Sequence, residues 1–296
     1  MGKNSGIEWT HHTFNPWWGC VKVSPACKHC YAETWSKRVG ARVWGVSAER
    51  RFFGENHWRQ PLLWNSEAEK TCERRRVFCA SMADVFENRR DLDSWRLRLW
   101  MLIGETPWLD WLLLTKRPEN ASAMVPWRDR WPRNVWLGTT VEDQEWADRR
   151  VPVLLNLPAA VRFLSCEPLL GPIDISDWLI RKEDLVYAEK NLPTSQASLR
   201  QKLHWVIAGG ESGHGARPMH PFWVRSLRDQ CIEAGIAFHF KQWGNWRPVE
   251  TPTQDFAKIQ VQGDMHFERM SKSIAGRDLD GRFWDDFPLF DGTEAQ

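Results

Sequence analysis

Short, dense apolar runs alternate with longer polar stretches along the chain at a steady rhythm. Val77-Phe-Cys-Ala-Ser81 precedes a charged, helix-like stretch from Asp91 to about Ile103. Trp111-Leu-Leu-Leu-Thr115 precedes Lys116-Arg117-Pro118 and a polar helix candidate. Asn134 to Val141 precedes Glu142 to Leu155, Val161 to Ser165 precedes Cys166-Glu167-Pro168, and His204 to Ala208 precedes Gly209-Gly210-Glu211. Ile236 to Lys241 comes last, and a further strand is expected early, near Thr13 to Trp18. Short β-rich runs separated by helix-length segments predict repeated βα units and a buried parallel sheet. Six or seven such strands suit an open or partial β/α barrel, an α/β fold, better than an isolated three-layer unit.

Polar residues recur at one phase of this rhythm, just after the strands. Asp84 and Glu87, Thr115-Lys116-Arg117, Thr139-Thr140 with Glu142, Ser165 with Glu167, and Gly209-Gly210-Glu211-Ser212 all sit there. In β/α barrels the C-terminal strand ends build the active site. Two stretches break the rhythm: a polar insertion from Asp174 to Gln201, and a tail from Trp246 to Gln296. The expected organisation is a barrel-like domain over 1–245 and a C-terminal extension over 246–296.

The chemistry concentrates in Gly19-Cys20-Val-Lys-Val-Ser-Pro-Ala-Cys27-Lys-His-Cys30-Tyr31. Three thiols at C-x6-C-x2-C admit three readings. They hold an iron–sulfur cluster with one iron left open, they hold structural zinc with His11, His12 or His29 as fourth ligand, or they are unrelated. Trp17 and Trp18 nearly abut the first cysteine and are placed to shield a metal site.

Composition narrows the setting. With 296 residues the chain has room for one large domain and an appendage. Lys+Arg 40 against Asp+Glu 38 gives no bulk electrostatic argument for or against nucleic acid. Seven cysteines without an apolar leader, and no run long enough to span a membrane, lead to the expectation of a soluble, cytoplasmic protein with reduced thiols. Tryptophan is abundant, 21 against 2 tyrosines, and most are expected in packing.

A set of motifs then carries a resemblance. Ile7-Glu-Trp-Thr10, Thr13-Phe-Asn-Pro-Trp-Trp-Gly-Cys20, the cysteine triad, Leu114-Thr-Lys-Arg-Pro118, Leu164-Ser-Cys-Glu-Pro-Leu169, Gly209-Gly-Glu-Ser-Gly213 with Arg217-Pro218, Phe240-Lys-Gln-Trp-Gly244 and Gly276-Arg-Asp-Leu-Asp-Gly281 span nearly the whole chain. Together they resemble a phage family of radical S-adenosylmethionine (SAM)-like proteins that includes thymidine-hypermodification isomerases. The first cysteine gap is six residues here, where radical SAM enzymes usually have three. The resemblance implies a partial (β/α)6-type barrel and a [4Fe-4S] cluster on Cys20, Cys27 and Cys30. It further implies SAM on the open iron and a 5'-deoxyadenosyl radical that abstracts a substrate hydrogen. It makes Ser81, Asp84, Thr140, Glu142, Glu167, Gly209, Gly210 and Glu211 candidates for holding SAM, and gives Tyr31 a place beside it. A DNA or modified-nucleotide substrate and a reductase or flavodoxin-like electron donor follow as partners, in the host cytoplasm for a phage protein. Radical rearrangement of an amino-acid adduct on thymine is one concrete reaction. Arg74-Arg-Arg76, Arg89-Arg90 and Trp127-Arg-Asp-Arg-Trp131 are loose candidates for nucleic-acid contact. The rival is a zinc-binding protein that recognises nucleic acid or a partner without catalysis. A second enzymatic rival is hydrolysis by Glu142 and Glu167.

Overall fold

Strands buried along their whole length must pair every backbone donor and acceptor laterally, and the apolar runs do so. The computed structural model describes residues 4–179, 203–251, 255 and 258–288. It divides into two compact units, one built from the residues up to Thr139 with Leu157–Arg162, the other from Thr140–Asn156 and the residues from Phe163 onward.

The first unit opens with β1 (His12–Thr13) and β2 (Trp17–Trp18). The single early strand expected near Thr13 to Trp18 is thus two. Pro16 lies between them, has no N–H for a ladder, and the chain leaves the sheet there. After α1 (Tyr31–Arg38), β2 pairs antiparallel with β3 (Arg51–Phe52). The helices α2 (Glu55–Trp58) and α3 (Gln60–Thr71) lead to β4 (Arg75–Cys79), α4 (Asp93–Glu105) to β5 (Leu109–Thr115), and α5 (Ala121–Met124) to β6 (Val135–Thr140). The parallel order is β1-β4-β5-β6, with Thr13 opposite Phe78, Val77 opposite Trp111, and Trp111 opposite Val135.

The polar helix candidate after Pro118 shrinks to a 3-10 turn and the four-residue α5. Pro126 ends it by driving Val125 to extended geometry, φ −95° and ψ 146°. Tryptophan packs this unit's core. Trp9 lies against Phe78 with centroids 4.6 Å apart, Phe14 meets Trp111 edge-on, and Trp64 stacks on His12 at 4.5 Å.

In the second unit α6 (Gln144–Leu155) starts at Asp143, whose side chain accepts the Trp146 N–H. β7 (Val161–Cys166), β8 (Trp205–Gly209) and β9 (Ala237–Gln242) are parallel in that order, Phe163 opposite Trp205 and Trp205 opposite Ala237. Between β8 and β9, α7 (Pro221–Ala234) buries Val224, Leu227, Cys231 and Ala234. Beyond β9, β10 (Trp246–Val249), β11 (Ile259–Gln262) and β12 (Met265–Arg269) form an antiparallel sheet in the order β10-β12-β11, followed by α8 (Lys272–Ala275). Of the insertion expected over Asp174–Gln201, the described part holds one 3-10 turn, Ser176–Trp178, and residues 180–201 lie outside the described residues.

Four parallel strands in one unit and three in the other, with α-helices between successive strands of the first and between β8 and β9 of the second, make this an α/β protein of the expected kind. Among the described residues no helix is long and apolar enough to cross a membrane.

Candidate functional site

The cysteine loop leaves β2 at Gly19, which has φ +120° and donates its N–H to the Met82 carbonyl at 2.9 Å. A β-carbon there would stand 2.3 Å from the Val43 carbonyl oxygen, so only glycine lets the chain pass. Cys20 is fixed next. Its carbonyl accepts the Gly45 N–H at 3.0 Å, and its Sγ lies 3.7 Å from Arg117 Nη1. Cys27 closes the 3-10 turn Pro25–Cys27, and Cys30 is the N-cap of α1. Trp18 packs with Ala32, Val43 and Met82, and Cys30 lies against that cluster, so Trp18 backs the thiol loop.

All three thiols are free and half-buried, which separates them from the remaining four cysteines. Cys79, Cys166 and Cys231 are buried, and Cys72 is exposed. Burial pushes the Cys20 thiol up to about 12, the Asp84 carboxylate adds to this, and Arg117 opposes it. Burial also raises Cys30, with Lys116 among the opposing charges. Among the described residues no three His, Cys, Asp or Glu side chains converge as a ready metal-holding group. The donors nevertheless suit a thiophilic metal or cluster: three thiols on one loop, soft ligands that lose protons as a metal arrives and gather around it. His11 Nδ1 is committed to the Arg76 N–H at 2.8 Å, and His12 is stacked on Trp64.

Arg117, at the end of β5, ties this loop to the neighbouring strand ends. Nη1 donates to Asp84 Oδ2 at 2.8 Å and Nη2 to the Val21 carbonyl at 2.8 Å. Asp84 also accepts from Thr115 Oγ1 (2.7 Å), the Lys116 N–H (3.0 Å) and the Phe86 N–H (3.1 Å). Burial works against the charge of Arg117, yet Asp84 and Cys20 outweigh it and hold the guanidinium above its ordinary range. Ser81 joins the same region. Its carbonyl accepts the Tyr31 hydroxyl at 3.0 Å, and its Oγ receives Asn15 Nδ2 at 3.1 Å. Behind the loop, buried Arg50 donates to the carbonyls of Val43 and Ala48 and grips both Glu87 oxygens, at 3.2 and 2.6 Å.

The other candidates belong to the second unit. Glu142 is fully buried and bonded to Arg150 Nη1 at 3.0 Å, the same nitrogen reaching the Thr140 carbonyl at 2.7 Å. Its carboxylate therefore faces an arginine rather than solvent. Glu167 is paired with Lys241 Nζ at 3.0 Å and receives Ser165 Oγ at 3.3 Å. Glu211 is held by Arg217 through Nε, Nη2 and the backbone N–H, at 2.7, 2.6 and 2.9 Å. Gly210 is explained by the protein itself, since a β-carbon would stand 1.9 Å from the Trp243 carbonyl oxygen. Its close approach is to its own chain.

Several residues of the three stretches suggested for nucleic-acid contact also make internal contacts. Arg74 pairs with Asp110 and Arg75 with Glu73, both at 2.6 Å, and Arg89 pairs with Asp91. Trp127 packs on Trp100 and Trp131 at 5.2 and 5.7 Å. Sequence reasoning missed Arg50, Arg150 and the Arg117–Asp84–Cys20 contact, whose members come from separate segments with no local spacing to announce them.

The chain belongs to the family described as "Protein of unknown function (DUF5131)", whose model matches residues 4–288. No curated protein matches the sequence. Two solved structures are similar to it. One is a cysteine-to-serine mutant of spore photoproduct lyase, with TM-score 0.44 and 12% identity over 93% of this chain and 72% of that one. The other is a double mutant of spore photoproduct lyase with bound AdoMet and dinucleoside spore photoproduct, with TM-score 0.43 and 11% identity over 92% and 74%.

Proposed function

We propose that this protein is a radical SAM enzyme acting on a nucleobase, with Cys20, Cys27 and Cys30 as ligands of a [4Fe-4S] cluster. The carrying observation is the thiol loop itself: three free, half-buried cysteines, the first in contact with a buried Asp84–Arg117 pair at the strand ends. Three protein thiolates leave one iron for a second ligand. When bound, the cluster and SAM supply one-electron, hydrogen-abstracting chemistry.

The chain's own residues do the rest. Arg117 holds Cys20 and the Val21 carbonyl, fixing where the first ligand points. Trp18 and its cluster close the loop's inner side to water. Tyr31 and Ser81 hold the start of α1 against the segment after β4. In the second unit Glu167 is neutralised by Lys241 and Glu211 by Arg217. The finer form of the proposal is base hypermodification of phage DNA, by rearrangement of an amino-acid adduct on thymine.

Anaerobic reconstitution with iron and sulfide, followed by EPR of the reduced protein with and without SAM, tests this reading. A [4Fe-4S] signal that changes with SAM and is absent from Cys27→Ala supports it. Stoichiometric zinc on the same cysteines, with no cluster formed, overturns it.

A further inference from the structure

In the basic runs that stand out in the sequence Arg74, Arg75 and Arg89 are engaged in ion pairs, and a different face sets cations beside exposed rings. α1 begins at Cys30 and shows solvent Tyr31 and Trp35, one helical turn apart, with Val39 one turn further. Tyr31 is 55% exposed and Trp35 46%, unusual for rings in a protein that buries so many of its tryptophans. The surrounding segment, residues 20–46, carries exposed Lys22, Lys28, Lys37, Arg38 and Arg42 against a single acidic residue, Glu33. That is a local charge of +4 in a chain whose whole net charge is +2. Lys22 and Lys37 share Glu33, at 2.7 and 2.6 Å. Among the described residues no carboxylate pairs with Lys28, Arg38 or Arg42.

We infer that this face docks single-stranded DNA. Cations along the face complement phosphates, and the exposed rings of α1 offer flat surfaces on which bases stack without regard to sequence. An unpaired strand is also what chemistry on a base requires, because a base inside a duplex must first be extruded. The choice of DNA rests on the nucleobase reading above; the binding itself needs no cluster. Through Cys30, the N-cap of α1, the face adjoins the thiol loop, so a docked strand lies next to the candidate site.

Anisotropy of a fluorescein-labelled, mixed-sequence single-stranded dodecamer on cluster-free protein tests the inference. Trp35→Ala weakens binding about ten-fold, and Trp35→Phe restores most of it. Arg38→Gln with Arg42→Gln lowers the log–log salt slope by about 1.4. Because the binding is read on cluster-free protein, failure of the cluster reading is distinguishable from failure of this one. Equal affinity in wild type and Trp35→Ala, or tighter binding of the duplex, overturns the proposal. So does an unchanged oligonucleotide affinity in the arginine variant together with lost binding of an acidic electron-transfer protein, which would make this face the electron donor's dock.

Discussion

Arg117 reaches across 97 residues of sequence to place a guanidinium nitrogen 3.7 Å from the sulfur of Cys20 while the same nitrogen holds Asp84 at 2.8 Å. The first candidate ligand is thus attached to a buried ion pair.

Arg117→Met strands the Asp84 carboxylate. Removing one partner of a buried pair costs about 3–5 kcal/mol, and the three remaining donors to Asp84 put the loss near the lower end. Urea unfolding reads it. Adding Asp84→Asn recovers part of the loss, whereas a simple packing defect would not respond.

Gly19→Ala attacks the loop from its other side. The new methyl meets the Val43 carbonyl at a backbone angle that favours glycine. Reconstituted iron and sulfide per chain drop several-fold, while far-UV circular dichroism stays that of the wild type.

Glu142→Gln unbalances the buried partner Arg150, with an expected loss of about 3 kcal/mol in stability. SAM affinity, measured by calorimetry on the folded variant, separates a structural Glu142 from one that also contacts the cofactor. An unchanged affinity assigns it to structure alone.

His11 makes stability depend on pH. Burial, then the charges of Arg76, Arg75 and His12, lower its pKa from 6.5 to about 4. Its Nδ1 accepts the Arg76 N–H, which a protonated nitrogen could not do. The folded state therefore resists protonation: the stabilisation is full above about pH 6.5 and is lost as pH falls toward 4. After allowance for a half-exposed ring the loss is on the order of 1–2 kcal/mol. His11→Asn flattens the profile in that window when urea midpoints are compared across pH.

The strands were readable because each is an unbroken apolar run, and β4 through β9 begin within two residues of where those runs begin. Where a proline intervened, the pattern misled. Pro16 divides the first strand, and Pro126 cuts the helix after Pro118 to one turn. The three cysteines were legible because spacing alone groups them. The buried pairs were not: Asp84 and Arg117 come from different strand ends, and Arg150 lies eight residues beyond Glu142, on α6. For the same reason Arg74 looked available in sequence while its acid, Asp110, arrives from the next strand.

The pinning of the thiol loop has a consequence for engineering. Gly19 is fastened to Met82, the Val21 carbonyl to Arg117, and Pro25–Cys27 is wound into a 3-10 turn, so the six residues between the first two cysteines are held at several points. The scaling that makes a long flexible loop tolerant of length does not extend to a short, held one. The wide first gap is therefore a built dimension of the loop, and a deletion within it gives up a specific contact rather than slack.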